Sequence, residues 1–382
     1  METYSKIKAI ISGGGTGGHI FPALSIAAKL KELNPENEIL FVGAEGRMEM
    51  EKVPAAGYRI VALPICGLQR KLSLSNLKIP FKVIKSVSMA RKLIREFKPD
   101  IAIGVGGYAS APMLWAAQRM GIPTLIQEQN GFAGLTNKIL GKKAKSICVA
   151  YPGMERFFPA ERIVMTGNPI RKEIVPADEA MKAEGTAFYG LDPAKKHILI
   201  VGGSLGCRTL NEAVMRWVEN GCTEGKDIQL LWQCGKYYFR TVKEFMDKEK
   251  GKYDDADIHY SDFIQRMDLA YATADLVVSR SGASSVSEIC AAHKAVILVP
   301  SPNVAEDHQT HNAMALVKKD AGVLVKDGEA ADKLMSTACE LVHDGERLKA
   351  MEKNVAELAL ADAAMTIAGE VYRVIGSNLQ KN

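Results

Sequence analysis

This sequence predicts an α/β protein of two Rossmann-like, doubly wound parallel-sheet domains. Three observations point there. Two apolar, β-branched runs each end in a glycine cluster and pass at once into a helical pattern: KAIISGGGTGGHIFPALSIAAKL, with Gly13, Gly14, Gly15, Gly17 and Gly18, and HILIVGGSLGCRTLNEAV, with Gly202, Gly203 and Gly206. Strand-like and helix-like segments alternate through both halves, the pattern of parallel sheets with crossover helices. The 382 residues also match two domains of roughly 150–200 residues each.

Taken in order, the N-terminal half gives strands at 7–12, 38–42, 101–105, 123–127 and 146–149, with helices beginning after Gly18, around Met48, near Asn76, at Ala111 and at Gly134. The C-terminal half gives strands at 197–201, 228–233, 258–260, 276–279, 296–299 and 323–325. Its helices follow Gly206, Tyr237, Met267, Ala283, Gln309 and Glu329. Asn168-Pro169 marks a turn, so the link falls near Thr166–Ile170. Expected domains are 1–166, 167–358 and a terminal helix over 359–382 that crosses back onto the first domain.

Composition narrows the class. The seven cysteines form no CxxC pair and are odd in number, which favours a reduced chain over a disulfide framework or zinc site. No signal-peptide pattern opens the sequence and no apolar run reaches the length of a membrane span, so the chain is expected to be soluble or attached to a membrane surface. Between Arg70 and Lys98, nine basic residues face one acid, Glu96, and alternate with Leu72, Leu74, Leu77, Ile79, Phe81, Val83, Ile84 and Val87. Such interleaving suits an anionic bilayer surface, where each cation contributes about 1 kcal/mol; a solvated helix face over ordinary core residues is the plainer explanation. Nucleic acid fits poorly, because the segment carries no tyrosine or tryptophan for base stacking.

Each glycine turn places the free N–H groups of a helix N-terminus where phosphate can approach. In the second half these amides belong to Gly203, Ser204 and Leu205, and the Ser204 hydroxyl stands among them; the turn could equally serve strand–helix packing alone. SRSGASSVSE repeats the arrangement, with Gly282 and Ala283 opening a helix that carries Glu288, an acid placed to accept from a ribose diol or simply a solvated helix residue. His308, Gln309 and Asn312 add polar groups at another helix start. In the first half, His19 directly follows the glycine loop and could take a proton near neutral pH or cap the turn structurally. Gly104-Val-Gly-Gly-Tyr-Ala-Ser-Ala-Pro112 is a second anion-ready turn, and Gln127-Glu-Gln-Asn-Gly131 puts Glu128 and Asn130 at a strand end. Asp254-Asp-Ala-Asp257 has a D-x-D pattern but precedes a strand, and is expected to be a surface loop; His308 and His311 lack further metal ligands nearby. Neither a metal nor a cofactor is expected.

Taken together, GGGTGGHIFPALSIA, GVGGYASAP, QEQNGFAGLTNKIL, TGNPIR, VGGSLGCRTLNE, SRSGASSVSEI and EDHQTHNA resemble the MurG family of bacterial N-acetylglucosaminyltransferases nearly end to end. The resemblance implies a GT-B glycosyltransferase, its two domains facing across a cleft. Its donor would be UDP-N-acetylglucosamine and its acceptor undecaprenyl-pyrophosphoryl-MurNAc-pentapeptide, in peptidoglycan synthesis at the cytoplasmic face of the cell membrane. It implies donor contacts from Arg171, Gly203, Ser204, Leu205, Ile264, Gly282, Ala283, Glu288, His308, Gln309 and Asn312. Of these, Arg171 and Ser204 would meet the diphosphate, Glu288 the ribose, the Ile264 backbone the uracil and Gln309 the sugar. The family often has Gln–Gln where this chain has His308–Gln309. Thr16, Gly17, Gly18, Gly106, Gly107, Tyr108 and Asn130 would face the acceptor, and 72–95 the anionic membrane, with other cell-wall synthesis and division proteins as further partners.

The implied reaction is an inverting displacement of UDP by the muramyl C4 hydroxyl, with His19 as first choice of general base and Glu128 as second. Two other activities share some of these features. A UDP-N-acetylglucosamine 2-epimerase has the same architecture and donor but leaves the basic-apolar segment unexplained, and a non-catalytic precursor-binding scaffold has no need of the intact polar set. A nicotinamide dehydrogenase is disfavoured because neither loop gives a clean G-x-G-x-x-G with a well-placed acid.

Overall fold

The computed structural model describes residues 4–65, 79–203, 205–222, 227–254, 257–360 and 362–379. The chain forms two compact units: the first runs to Ile170 and takes in the C-terminal helix, and the second spans Arg171–Leu360.

In the first unit the elements are β1 (Lys8–Ser12), α1 (Gly17–Leu33), β2 (Glu38–Ala44), α2 (Glu49–Ala55), β3 (Arg59–Leu63), α3 (Ile79–Phe97), β4 (Ile101–Gly104), α4 (Ser110–Arg119), β5 (Thr124–Glu128), α5 (Leu135–Gly141), β6 (Ser146–Val149) and β7 (Ile163–Met165). The strands order β3-β2-β1-β4-β5-β6-β7, and every pair is parallel. Side chains alternate between two cores, as strand geometry requires. Ile10, Ala102, Ile126 and Ile147 enter one core; Ile11, Ile103, Leu125 and Cys148 enter the other. Burial on both faces is why these strands read as continuous apolar runs.

The last helix, α14 (Ala363–Leu379), belongs to this unit. Its Ile367, Ala368, Val371 and Val374 recur at helical spacing and pack with Ala23, Ile26, Ala27 and Leu30 of α1. Each buried branched side chain contributes about 1.5–3 kcal/mol. Two polar ties fix the docking: the Asn37 amide donates to Tyr372 Oη (2.8 Å), and the Ser146 hydroxyl donates to Glu370 (2.8 Å).

The second unit repeats the scheme with α6 (Glu179–Tyr189), β8 (Lys196–Val201), α7 (Arg208–Glu219), β9 (Ile228–Gln233), α8 (Phe239–Lys248), β10 (Ile258–Ser261), α9 (Met267–Thr273), β11 (Leu276–Ser279), α10 (Ala283–Ala291), β12 (Val296–Leu298), α11 (His308–Val317), β13 (Val323–Leu324), α12 (Ala330–His343) and α13 (Gly345–Ala356). Its parallel order is β10-β9-β8-β11-β12-β13. In both sheets the strand order reverses between the first and fourth strands, β1/β4 and β8/β11. That switch point opens a crevice at the carboxyl ends of the strands, the usual ligand edge of such sheets.

Three elements lie outside the sequence expectation. Strand β7 is too short for a period-2 pattern, and β3 is a sheet edge with only Leu63 fully buried. Helix α6 has no apolar stripe: its buried positions are Gly185 and Thr186. A Cβ on Gly185 would crowd the Leu269 carbonyl and Thr273 of α9, so close backbone approach holds this helix. Asp178 caps it, accepting from Met181 N at 2.8 Å. The Thr166–Ile170 stretch, expected as the link, is largely buried and belongs to the first unit.

Candidate functional site

In the first unit, Gly13–Thr16 leaves β1 and the turn at Val105–Tyr108 leaves β4, so both glycine loops flank the switch point. They touch each other: a Cβ on Gly107 would overlap the Gly14 carbonyl, and both residues have positive φ. Glu49, buried at the start of α2, accepts from Gly15 N (2.8 Å) and Ala44 N (2.9 Å) and so fixes the first loop. The Ser110 hydroxyl lies 2.6 Å from the Ser12 carbonyl and 2.9 Å from that of Gly106, tying the two turns together. Thr16 caps α1 without a side-chain bond, which leaves the Gly17 and Gly18 amides at an open helix start.

His19 lies beside the second turn, its ring 2.8 Å from where a Gly106 Cβ would stand. Its Nδ1 meets Gln129 Oε1 at 3.0 Å. Gln129 Nε2 faces the carbonyls of Val105 (2.8 Å) and Gln127 (3.2 Å) and also the Gln127 side-chain oxygen. Gln127 Nε2 donates to Asn168 Oδ1 (2.9 Å), and Asn168 Nδ2 donates to the Gln129 carbonyl (2.9 Å). Gln127, Gln129 and Asn168 are all buried. None of the three stood out in the sequence as a site residue. The available signal was the polar alternation at the end of β5, where 127 and 129 face one side and 128 and 130 the other.

Glu128, the second candidate base, does different work. Its Oε1 accepts from Asn130 N (3.1 Å) and lies 3.4 Å from Asn130 Nδ2; its Oε2 accepts from Gly134 N (3.0 Å) and Asn137 Nδ2 (2.9 Å). A buried carboxylate with donors on both oxygens braces the loop into α5 and is poorly placed to take a proton from a hydroxyl. This geometry gives Glu128 a bracing role beside the expectation of it as second choice of base. Tyr108 is exposed and Asn130 half-buried.

The basic-apolar segment falls partly outside the described residues, which omit 66–78. Within α3, Phe81 and Ile84 are 75% and 68% exposed, alongside exposed Lys82, Lys85, Arg91, Lys92 and Arg95. No helix among the described residues is long and apolar enough to cross a membrane.

In the second unit the Gly202–Gly206 turn leaves β8 for α7, and the turn at Gly235 leaves β9. Ser204 lies outside the described residues. Gly206 and Gly235 meet backbone to backbone, so that a Cβ on either would collide with the other turn. The Gly206 N–H donates to the Gly203 carbonyl (2.9 Å). Gln233 joins two predicted donor segments: its Nε2 donates to the Gly203 carbonyl (2.9 Å) and its Oε1 accepts from buried Ile264 N (3.2 Å). Leu205 is exposed beside this turn.

After β11, Gly282 stands at the N-terminus of α10 with no side-chain cap, and the helix begins at Ala283. Ser281, fully buried, donates to the Gln309 carbonyl (2.8 Å), while Asn312 Nδ2 donates to the Ser281 carbonyl (3.1 Å) and Gln309 Oε1 accepts from Ser301 N (2.8 Å). Two predicted residues, Gln309 and Asn312, thus share one network with Ser281 behind the start of α10. His308 opens α11 after a sharp kink at Glu306 and Asp307, both with positive φ. Deeper in α10, Glu288 accepts a fork from Arg171, Nε to Oε1 and Nη2 to Oε2 at 2.8 Å each. The buried Tyr271 hydroxyl lies 3.5 Å from Oε2. Burial followed by the Glu288 charge pushes the Tyr271 phenol well above its ordinary value. Burial opposes the Arg171 charge, but the bonds and charge of Glu288 outweigh it and hold the guanidinium raised.

Asp257 pairs with Lys195 (2.5 Å) at the start of β10, the strand edge opposite the glycine turns. Among the described residues no cluster of three or more His, Cys, Asp or Glu is placed to hold a metal ion.

Two doubly wound parallel sheets, each with paired glycine turns at its switch point, give the chain the architecture of the GT-B class. Residues 9–149 match the glycosyltransferase family 28 N-terminal domain and residues 197–367 the C-terminal domain of the same family. The chain belongs to glycosyltransferase family 28. It is 54% identical to the UDP-N-acetylglucosamine--N-acetylmuramyl-(pentapeptide) pyrophosphoryl-undecaprenol N-acetylglucosamine transferase of Parabacteroides distasonis, over 97% of this chain and 99% of that one. The transferase of the same name from Bacteroides thetaiotaomicron is 53% identical over 97% and 98%. Among solved structures, MurG of Acinetobacter baumannii superposes with a TM-score of 0.76 at 28% identity, covering 97% of this chain and all of that one.

Proposed function

We propose that this chain transfers N-acetylglucosamine from UDP-N-acetylglucosamine to the C4 hydroxyl of undecaprenyl-pyrophosphoryl-MurNAc-pentapeptide in peptidoglycan synthesis. The observation that carries the reading is identity above one half, across nearly the full length, with transferases whose names state this donor and acceptor. In the mechanism it supports, the acceptor hydroxyl attacks the anomeric carbon, UDP departs and configuration inverts. Negative charge grows on the diphosphate as the bond breaks. The amides of Gly203–Leu205, the open starts of α7 and α10 at Gly282 and Ala283, and Ser204 would stabilise it; preorganised donors aimed at developing charge commonly make the largest single contribution. Arg171 Nη1, which takes no part in the fork to Glu288, is available to a phosphate oxygen. Glu288 would accept from the ribose hydroxyls, the Ile264 backbone would meet uracil, and Gln309, with His308 and Asn312, would receive the sugar.

On the acceptor side, the turns at Thr16–Gly18 and Gly106–Tyr108 and the Asn130 side chain would receive the pyrophosphate and sugar. We assign the general base to His19, a contribution of about 10²–10⁴-fold, and the bracing of the acceptor loop to Glu128. Exposed Phe81 and Ile84 among the cations of α3 support peripheral attachment to an anionic membrane at its cytoplasmic face. Other cell-wall synthesis and division proteins would meet the chain there.

The test is transfer of labelled N-acetylglucosamine from its UDP donor to a polyprenyl-linked muramyl peptide with EDTA present, beside incubation with the UDP-sugar alone. Transfer in the first and no epimer in the second is the expected result. Epimerisation without acceptor would make the chain a 2-epimerase; donor and acceptor binding without UDP release would make it a scaffold.

A further inference from the structure

We infer that Gln129 is a positioning residue that fixes His19 in the tautomer protonated at Nδ1, so that the lone pair of the neutral ring lies on Nε2. The inference follows from the polarity of a chain of amides whose two ends are anchored on backbone carbonyls. At the far end, Asn168 Nδ2 faces the Gln129 carbonyl, which can only accept, so Oδ1 of Asn168 is the acceptor for Gln127 Nε2. Gln127 therefore presents Oε1 to Gln129, and Gln129 must answer with its NH2 group. The Val105 carbonyl, 2.8 Å from the same nitrogen, demands this orientation independently. Gln129 is left with its oxygen toward His19, and an amide oxygen 3.0 Å from Nδ1 requires a proton on that nitrogen.

Neutral imidazole in water prefers the other tautomer, protonated at Nε2. A buried chain of three amides, running from the end of β5 to Asn168 near the close of the first unit, holds the ring against that preference. The catalytic consequence rests on the assignment of His19 as base: only the nitrogen without a proton can accept one from the acceptor hydroxyl. The tautomer itself does not depend on that assignment.

Nitrogen NMR of the full chain labelled with 15N-histidine, at a pH where the rings are neutral, tests it; the His19 signals are those lost in His19→Gln. The expected wild-type spectrum shows a protonated Nδ1 and an unprotonated Nε2 for His19. Gln129→Met keeps the side-chain length and removes the acceptor; it is expected to return the ring to the Nε2–H form and lower kcat about 10–100-fold, the cost seen when a metal-bound histidine loses its orienting partner, with the donor KM unchanged. Gln127→Met should preserve the tautomer, because Val105 still orients Gln129. A wild-type ring protonated at Nε2, or a Gln129→Met spectrum identical to wild type, would overturn the inference. A shifted tautomer with unaltered kcat would remove the positioning role. Full turnover in His19→Ala with the wild-type spectrum as expected would sink the base assignment and leave the tautomer standing.

Discussion

Arg171 and Glu288, 117 residues apart in sequence, hold each other through two parallel 2.8 Å hydrogen bonds, with Tyr271 behind the carboxylate. The family resemblance implies a diphosphate contact for one residue and a ribose contact for the other. The fork makes them one unit: each orients the other, and the ligand would use the edges that the fork leaves. Glu288→Ala should therefore raise the donor KM by removing a ribose acceptor and freeing Arg171 from its orientation. Truncating one partner of a buried, hydrogen-bonded pair costs about 2–5 kcal/mol; Arg171 is nearly half exposed, so about a tenfold to hundredfold rise is expected here. Arg171→Ala with Glu288→Ala should cost less than the sum of the single changes. Steady-state kinetics with varied donor measures both, and an unaltered KM in Glu288→Ala rules out ribose binding.

His19→Ala should lower kcat about 10²–10⁴-fold while UDP affinity, measured by calorimetry, stays the same. The donor residues all lie in the second unit and His19 in the first. Turnover at the wild-type level would take the base role from His19. Loss of UDP affinity would mean that the ring serves the donor instead.

For Glu128 the bracing role predicts a stability effect. Glu128→Gln turns one oxygen into a donor that must face Gly134 N and Asn137 Nδ2 or Asn130 N, all of them donors themselves. Leaving buried donors unsatisfied costs about 1–3 kcal/mol. Urea unfolding should accordingly show Glu128→Gln destabilised nearly as much as Glu128→Ala. A Gln variant of wild-type stability with abolished turnover would return Glu128 to the role of base.

Much of this was legible because parallel strands buried on both faces, such as Ile198–Val201 and Leu276–Val278, are apolar throughout and punctuated by glycine. The glycine turns that end β1, β4, β8 and β11 were legible as strand-to-helix turns; the strand order places them at the switch points. What escaped was set by contacts distant in sequence. Glu49 looks like any first-turn acid until its carboxylate is found on Gly15 N; Gln129 and Gln233 look like strand-end polar residues until their partners are known. Helix α6 was missed because backbone approach at Gly185, with no apolar stripe, holds it. The Arg171–Glu288 fork could not be read from spacing, since nothing in either local sequence encodes the other.

Gly235 was not singled out in the sequence, yet it packs on Gly206 as Gly107 packs on Gly14 in the first unit. Gly235→Ala combines a strained backbone (φ +89°) with a Cβ driven into the Gly206 backbone. Gly190 is the control: its φ is +66° and an added Cβ would meet nothing within 4 Å. Gly190→Ala should cost only the left-handed strain, about 1–2 kcal/mol. A unit of this size loses about 2–4 °C in melting temperature per kcal/mol. Gly235→Ala should melt well below Gly190→Ala and show a raised donor KM, as the glycine turn at 202–206 shifts. Equal melting temperatures and a wild-type KM would mean that the two turns do not depend on each other.

A pH effect follows from His343, at the C-terminal end of α12. Its Nδ1 lies 2.6 Å from the Cys339 carbonyl and its Nε2 2.8 Å from Asp227 Oδ2. Only the imidazolium can donate to both oxygens, and the negative end of the helix favours it further. The Cys339 carbonyl first and Asp227 second raise the His343 pKa above 6.5, while the bond from His343 holds Asp227 below 3.8. A pKa raised on folding adds stability that is complete below the unfolded value and disappears as pH climbs through the folded one. The lowered Asp227 value adds stability present above the unfolded carboxylate value and lost in acid. The pair therefore stabilises most between about pH 4.5 and 6.5. Both groups are partly exposed, so its contribution is about 0.2–1 kcal/mol. His343→Gln should lower the urea midpoint at pH 5.5 and cost less at about pH 8.5, since the contribution of the charged ring falls as pH climbs. Equal losses at both pH values would show that His343 acts through packing, and its charge would then have no part in holding α12 to the start of β9.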